Sequence, residues 1–309
     1  MKVKWGIVAT VKASHDDTLE FAAHHLDLGA HRLYVHLDVT APDTYKALKS
    51  HPKVRVFTCD EAYWTKLGGK RPAKHQVRQT RNATRIYAGN SELDWLAHID
   101  VDEYLCPTQD ISTVLSELPA DTLCARVRPV EALADGDGTA FKGFIPNGPE
   151  RERVVHALYP TYGRYLKGGF LSHVAGKLFV RTGLSDVTFK IHNMFIKDTM
   201  NPGETELRQV ELCHFHTRNW KDWIESYRYR LAKGSYRSEL APAEAKEGVN
   251  LHILLSTLEA EGGKRALQEF YQAVATDTAD LRTRLRDQGL LRLHDLQRDR
   301  KRRALFPES

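Results

Sequence analysis

Several features that define other classes of protein are missing from this sequence. No run approaches the roughly twenty apolar residues of a membrane-spanning helix, and the apolar run at residues 5–11 is too short for the core of a signal peptide. The four cysteines are scattered without C-x-x-C spacing, which argues against a zinc knuckle and a dense disulfide framework. We therefore expect a cytoplasmic protein in a reducing compartment.

The sequence also lacks a P-loop, an internal repeat and a low-complexity segment. Its net charge of +5 suits anionic ligands such as phosphates but is mild for a dedicated nucleic-acid binder, so no nucleic-acid partner is expected. With 309 residues, 41% of them hydrophobic, the chain can bury a sizeable core. We expect a main domain over residues 1–235 and a helical extension over residues 236–309.

The most informative stretch is residues 93–105, LDWLAHIDVDEYL, where an apolar, strand-like run ends at Asp100, Asp102 and Glu103. Side chains alternate along an extended segment, so Asp100 and Asp102 are expected to point the same way. Two like charges held that close repel each other, and a divalent cation is the usual compensation. Oxygen ligands favour magnesium, manganese or calcium. The alternative is that these acids only solvate the end of a strand.

Strand-like and helix-like segments alternate over the first part of the chain. Strands are predicted at residues 4–11, 32–37 and 54–58, and helices at residues 16–28, 45–48 and 72–89. This order predicts a parallel sheet whose ligand crevice lies beyond the carboxyl ends of its strands, where Thr10, Asp38 and the acid cluster fall. Residues 60–72 read as a loop. The polar helix that follows carries Arg81, which could contact a diphosphate or simply be solvated.

Three later segments add candidates. A strand over residues 123–130 ends at Glu131, and a loop is expected from residue 134 to residue 149. A strand over residues 210–213 opens into HFHTRNW, where His214 and His216 can face one side, either as a site or as ordinary hydrogen-bonded histidines. Residues 277–303 read as a charged helical tail, which contacts anionic lipid at the inner face of a membrane, is solvated or mediates self-association.

These pieces resemble glycosyltransferase family 2, in the subgroup whose motif reads D-x-D-E, and the related family 92. The matching residues are Asp38 with Thr40, Asp43 and Thr44, then Arg81 and Asn82, then Asp100 to Glu103. The likeness covers roughly the first hundred and ten residues and comes in the family's order. It departs from the family where Val39 replaces the second of two paired aspartates. Later, Lys177 and Arg181 resemble the family's K-x-x-x-R strand, and His214, Phe215, Arg218, Trp223 and the Lys233–Gly234 pair resemble its late motif.

The resemblance implies an α/β GT-A fold, Rossmann-like, with a mixed and mainly parallel sheet flanked by helices. It implies transfer of a sugar from a UDP- or GDP-sugar to a glycan or lipid-linked acceptor, as in polysaccharide biosynthesis. Mn²⁺ or Mg²⁺ would be held by Asp100, Asp102 and His214, with His216 in reserve. Thr10 and Asp38 would recognise the base or ribose beside Asn82, and Arg81, Arg218 and Lys177 would bind the leaving diphosphate.

Family 2 enzymes invert the anomeric centre, which requires a carboxylate base for the acceptor hydroxyl. Glu131 is our first candidate for this base, followed by Glu103 and Asp186. Two other functions fit parts of the pattern. A metal-dependent phosphoryl or nucleotidyl transferase also uses paired carboxylates and arginines, and a non-catalytic carbohydrate-binding protein could keep the fold without the reaction.

Overall fold

The structure is a computed structural model that describes residues 2–89, 92–233 and 251–307. In chain order its elements are β1 (Trp5–Val11), α1 (His15–Asp27), β2 (Arg32–Leu37), α2 (Pro42–Ser50), β3 (Val54–Thr58), α3 (Glu61–Lys66), α4 (His75–Ala88), β4 (Trp95–His98), β5 (Glu103–Pro107), α5 (Ile111–Ser116), β6 (Cys124–Ala132), β7 (Ala140–Lys142), α6 (Arg151–Leu158), β8 (Lys177–Arg181), β9 (Val187–Phe189), β10 (Met194–Ile196), β11 (Thr199–Met200), β12 (Glu204–His214), α7 (Trp220–Lys233), α8 (Leu251–Val274), α9 (Ala279–Asp287), β13 (Leu291–Leu293) and α10 (Arg298–Leu305). None of the described helices is long and apolar enough to cross a membrane.

The chain forms two compact units, each built from separate stretches of sequence. The first unit comprises Met1–Pro129, Ala175–Cys213 and Leu296–Ser309, and the second comprises Val130–Val174 and His214–Asp295. The domain boundary expected between residues 235 and 236 lies outside the described residues.

The sheet of the first unit has β1 at its centre. β2 and β4 flank β1 and run parallel to it, and β3 extends this parallel part beyond β2. On the other side β8 pairs antiparallel with β4, and β6 pairs antiparallel with β8. Parallel strands end at one edge of a sheet, so β1, β2 and β4 deliver Thr10, Asp38 and Asp100 to the same edge. The α/β class is confirmed, and the arrangement is consistent with a Rossmann-like GT-A fold.

Helices cover the sheet because their apolar residues recur at helical spacing. Helix α1 begins at the cap Ser14, whose hydroxyl accepts the N–H of Asp17 at 3.1 Å, and it buries Leu19, Ala22 and Leu26. Helix α4 packs Ala83 and Tyr87 into a cluster with side chains of β1, β4 and β8. Burial of each large apolar side chain stabilises the fold by about 1.5–3 kcal/mol, which fixes α4 across the sheet.

Three local predictions were wrong. The loop expected at residues 60–72 contains α3, which Asp60 caps by accepting the N–H of Tyr63 at 2.8 Å and which Trp64 anchors in the core. The loop expected at residues 134–149 contains β7. The tail expected to be one helix is interrupted after α9 by Gly289, at φ 67°, and by β13, which pairs with β7.

The basic residues of α10 are engaged by acids of α1 within the first unit. Arg298 pairs with Glu20 at 3.0 Å, and Lys301 pairs with Asp27 at 3.1 Å. Helix α10 therefore packs on α1 through ion pairs, and these two cations are already neutralised by the protein itself.

The second unit has an aromatic core of its own. The rings of Trp223 and Tyr227 stack with centroids 5.7 Å apart, and Phe270 and Tyr271 of α8 pack beside them. In its small sheet, the end of β6 pairs with β7 and β7 pairs with β13. Helix α8 contains a kink at Gly263, at φ 61°.

Candidate active site at the strand ends

The acidic motif after β4 forms a tight turn instead of continuing as a strand. The N–H of Glu103 donates to the backbone oxygen of Asp100 at 3.1 Å, and the N–H of Asp100 donates back to Oε2 of Glu103 at 3.0 Å. The expected alternation of Asp100 and Asp102 along an extended segment was therefore wrong. The turn keeps both aspartates half-buried and turns the Glu103 carboxylate inward, where it is buried.

Lys177 from β8 supplies the positive charge at this turn. Its ammonium Nζ lies 2.5 Å from Oδ2 of Asp100 and 3.3 Å from Oε2 of Glu103, and its side chain is only 1% exposed. Burial alone would lower the pKa of Lys177, but its attraction to Asp100 and Glu103 raises it, so the lysine stays charged. The pairing of β8 with β4 brings together residues that are far apart in sequence.

The glycine before Lys177 fixes where the lysine enters the sheet. Gly176 has φ 68°, a conformation that L side chains rarely adopt, and a Cβ there would collide with the carbonyl oxygen of Val127. Glycine is thus required for β8 to approach β6 this closely.

Both carboxylate oxygens of Asp100 accept hydrogen bonds. Besides the contact of Oδ2 with Lys177, Oδ1 accepts the side-chain amide of Gln79 from α4 at 2.5 Å. Burial favours the neutral acid, but Lys177 and His98 outweigh it and hold the pKa of Asp100 well below its usual value. Asp100 is therefore an ionised, fully engaged carboxylate.

The metal site expected from the sequence, at Asp100, Asp102 and His214, stays a prediction. Asp100, Asp102 and Glu103 do not offer three ligand oxygens within 4.8 Å of one another. The charge of Asp100 is compensated by an ammonium group, and each of its carboxylate oxygens accepts one hydrogen bond.

Asp38, at the end of β2, organises a second charged cluster. Its side chain is fully buried and accepts two hydrogen bonds from Arg78, with Nη2 at 2.6 Å from Oδ2 and Nε at 2.8 Å from Oδ1. Arg71 donates to Oδ1 at 3.0 Å, and His75 lies 3.3 Å from Oδ2. Burial would raise the pKa of Asp38, but the hydrogen bonds from His75, Arg78 and Arg71 lower it well below its usual value. Arg71 and His75 are the partly exposed members of this cluster.

Thr10 and Asn82 meet at the end of β1. The side-chain amide of Asn82 donates to the Thr10 hydroxyl at 3.0 Å, and the Tyr63 hydroxyl donates to Oδ1 of Asn82 at 2.8 Å. Arg85 in turn donates to the Tyr63 hydroxyl at 3.2 Å. Thr10, Asp38 and Asp100 are thus each held by one residue of α4, namely Asn82, Arg78 and Gln79. Arg81 instead is exposed and lines a cavity together with Trp64 of α3.

Glu131 and the late histidines belong to the second unit, and Asp186 belongs to the first. Glu131 is buried 2.9 Å from the ammonium of Lys142 and accepts the backbone N–H groups of Leu171 and Ser172 at 3.0 and 2.6 Å. Burial opposes ionisation, but Lys142 lowers the pKa of Glu131. This is the environment of a structural ion pair, and the role of Glu131 as a general base stays a prediction.

The late histidines also lie in the second unit. The rings of His214 and His216 meet edge to face with centroids 5.5 Å apart, and Nη1 of Arg230 lies 3.0 Å from Nε2 of His216. The backbone oxygen of Arg218 accepts the N–H of Asp135 at 2.9 Å. The Lys233–Gly234 pair extends beyond the described residues, and the roles of His214, Arg218 and Asp186 stay predictions.

The sequence reading missed Arg71, Arg78, Gln79 and Tyr63 as site residues. The sequence does contain a pattern that indicates three of the contacts. Residues 78, 79 and 82 lie at helical spacing and form a polar stripe beside the strand that ends at the acid cluster. Polar residues at that spacing usually indicate a solvated face, whereas here the stripe is buried against the strand ends.

Comparison of the sequence with protein-family models and with curated proteins gives no match. Solved structures give distant likenesses. HddC from Yersinia pseudotuberculosis is 11% identical, with 72% of this chain and 97% of that chain covered and a TM-score of 0.34. The glycosyltransferase GlyE of Streptococcus pneumoniae TIGR4 is 13% identical, with 90% and 46% covered and a TM-score of 0.31. The mannosyltransferase Ktr4p of S. cerevisiae is 14% identical, with 44% and 41% covered and a TM-score of 0.26. This chain spans less than half of the latter two proteins, and likenesses this weak assign no function.

Proposed function

We propose that this protein is a glycosyltransferase that moves a sugar from a nucleotide-diphosphate donor to a hydroxyl acceptor. The observation that supports the proposal most is the convergence of Thr10, Asp38 and the Asp100 turn on one edge of a parallel sheet, held there by a single helix. The same residues carry the resemblance to family 2.

Within this proposal Asp38 acts through its partners. Its carboxylate is buried and saturated by Arg78, whereas the Arg71 and His75 side chains are 40% and 38% exposed and lie at the end of β2. We assign the nucleotide to these two groups, because a guanidinium and an imidazole can bind a base edge or a phosphate. Asp38 fixes their orientation, so the contact with base or ribose predicted for Asp38 becomes an indirect one.

Lys177 is a positioning residue in the same scheme. It is too buried to reach a diphosphate, but it holds the turn that presents Asp102 at the sheet edge. A requirement for Mn²⁺ or Mg²⁺ stays a prediction from the sequence, as do inversion and the UDP- or GDP-sugar donor. When bound, such an ion would neutralise the leaving diphosphate.

The test is a thermal-shift titration with UDP and GDP, with and without Mn²⁺. A ligand that binds only the folded state raises its melting temperature, so the donor nucleotide should stabilise wild-type protein. Asp102→Ala should lose this stabilisation, whereas Asp198→Ala, which removes an exposed aspartate of the small β9–β11 sheet region, should keep it. Equal stabilisation of Asp102→Ala and wild-type protein would contradict the site assignment.

A product assay separates the three functions. Release of UDP or GDP with transfer of the sugar supports the proposal. Release of pyrophosphate or a nucleotidyl product would instead indicate the phosphoryl enzyme, and sugar binding without turnover would indicate the silent binding protein.

A further inference from the structure

A cavity lined by residues of α3, α4 and the loop between them has only positive charge among its ionisable side chains. It has a volume of about 450 Å³ and is lined by Trp64, Leu67, Gly68, Gly69, Lys70, Arg81 and Arg85. No acid is among these lining residues, although acids and bases are nearly balanced in the whole chain, with 40 and 45 residues. A concave surface with charge of one sign concentrates ions of the opposite sign.

Two of the three cations are not used by the fold. Within the described part of the chain, neither Lys70 nor Arg81 has a hydrogen-bond or ion-pair partner. Arg81 lies close to the backbone of the loop, because its Nη1 is 4.0 Å from where a Cβ would stand on Gly69. An unpaired guanidinium and ammonium on one wall are the groups that proteins use to bind phosphate.

The third cation is held in place. Arg85 donates to the Tyr63 hydroxyl at 3.2 Å, and its guanidinium lies 5.5 Å from the centre of the Tyr63 ring and 5.9 Å from that of Phe57. A positioned arginine loses less conformational entropy on binding than a mobile one.

Trp64 provides an independent observation. Its side chain is 1% exposed, and its indole N–H finds no acceptor among the residues that the structure describes. Buried indole N–H groups usually have a partner, and because Trp64 lines the cavity its indole can report on a ligand bound there.

We propose that this cavity binds a phosphate or diphosphate group of a small soluble molecule, at a site separate from the proposed donor site. Arg81 and Lys70 make the charge-assisted contacts, and Arg85 contributes from its fixed position. This proposal gives Arg81 a role at the second site, in place of the contact with the leaving diphosphate that the sequence suggested.

The test uses inorganic pyrophosphate and protein labelled with ¹⁵N at its tryptophans, with the Trp64 indole signal identified by its loss in Trp64→Phe. Pyrophosphate should shift this signal saturably. Lys70→Gln combined with Arg81→Gln should weaken binding about tenfold or more, because both charge-assisted hydrogen bonds to the ligand are lost. Lys49→Gln, which removes an exposed lysine of α2 outside the cavity, should bind like wild-type protein.

Two further measurements separate this site from its alternatives. Asp102→Ala should keep the pyrophosphate response of Trp64 even if it loses nucleotide binding, so failure of the donor site would not imitate failure of this one. No saturable shift in wild-type protein, or a shift unchanged in the Lys70/Arg81 double variant, would overturn the proposal. Binding to phosphatidylglycerol vesicles without any response to pyrophosphate would overturn it as well, because the ligand would then be a lipid surface.

Discussion

Acidification should destabilise the first unit through four buried histidines, His24, His25, His36 and His98. Burial lowers the pKa of His24 and of His98 from 6.5 to about 4 and that of His36 to about 3, and it lowers the pKa of His25 well below its usual value. All four side chains are buried in the first unit and are neutral at pH 7. We expect this group to set the acid limit of stability.

Two of these histidines cannot take up a proton without losing contacts. His25 donates from Nδ1 to the carbonyl oxygen of Phe21 at 2.8 Å, and its Nε2 accepts the N–H of Leu105 at 3.3 Å. His24 donates from Nε2 to the carbonyl oxygen of Leu105 at 2.8 Å, while its Nδ1 lies 3.3 Å from the ammonium of Lys301. A second proton on either ring would therefore face another donor. Because both rings hold Leu105, protonation would also release β5, which begins at Glu103.

The size of the effect follows from proton linkage. In the unfolded chain each histidine binds a proton near pH 6.5, whereas the folded chain stays neutral to about pH 4 or below, so the unfolded state binds more protons. The free energy of unfolding therefore has its full value above pH 6.5 and falls as the pH drops toward 4. At pH 5 each of His24, His36 and His98 should lower the free energy of unfolding by about 2 kcal/mol, or about 6 kcal/mol for the three, and His25 acts in the same direction. This is comparable with the whole stability of a typical domain, about 5–15 kcal/mol.

The assay is urea unfolding at pH 7.5 and 5.0, followed by circular dichroism. His36→Leu removes one titrating group that stacks on Phe57, so its loss of stability on acidification should be about 2 kcal/mol smaller than that of wild-type protein. His156→Leu, at an exposed position of α6, should show the wild-type pH dependence. A wild-type free energy that changes by less than about 1 kcal/mol between the two pH values would refute the reasoning.

Three further predictions concern single contacts and use the same unfolding assay. Gly176→Ala should lower the free energy of unfolding by about 2 kcal/mol or more, because it adds a collision with Val127 to an unfavourable φ. Gly183→Ala has open space around it and should lower this free energy by about 1 kcal/mol. Equal losses in the two variants would argue against the close approach of β8 to β6. Glu131→Gln should lower the free energy of unfolding by about 3–5 kcal/mol, because it leaves Lys142 buried without its partner. Adding Lys142→Met should recover part of this loss. Additive effects of the two substitutions would mean that the pair is not coupled. A double-mutant cycle between Arg298 and Glu20 should give a coupling of about 1 kcal/mol or less that weakens in 1 M NaCl, and a coupling unaffected by salt would contradict the ion pair between α10 and α1.

The parallel part of the sheet could be predicted because its signals are local. β2 and β3 lie where the apolar, strand-favouring runs placed them, and the order of strands and helices gave the α/β class. Helix α3 was missed because six residues carry too little periodicity to stand out, although Asp60 is a good cap. The charged tail was read as one helix because its composition is uniform, whereas the break at Gly289 depends on the pairing of β13 with a distant strand.

The partners of the site residues could not be read in the same way. Lys177 stands 77 positions after Asp100, and Arg78 stands 40 positions after Asp38, so their contacts exist only because of strand order and the way α4 crosses the sheet. Periodicity shows which face of an element is apolar, but it does not show which two elements become neighbours.

The acids at the strand ends were identified from the sequence, but the cations that compensate them were not. Transfer of a carboxylate from water into a protein interior is costly whatever its partner, so an acid at a buried edge requires some positive charge. A divalent ion is one solution. A basic side chain is a second solution. The structure shows it in three pairs: Asp100 with Lys177, Asp38 with Arg78 and Glu131 with Lys142. A D-x-D motif therefore locates negative charge at a sheet edge, and the donors around each oxygen decide whether a metal has a place there.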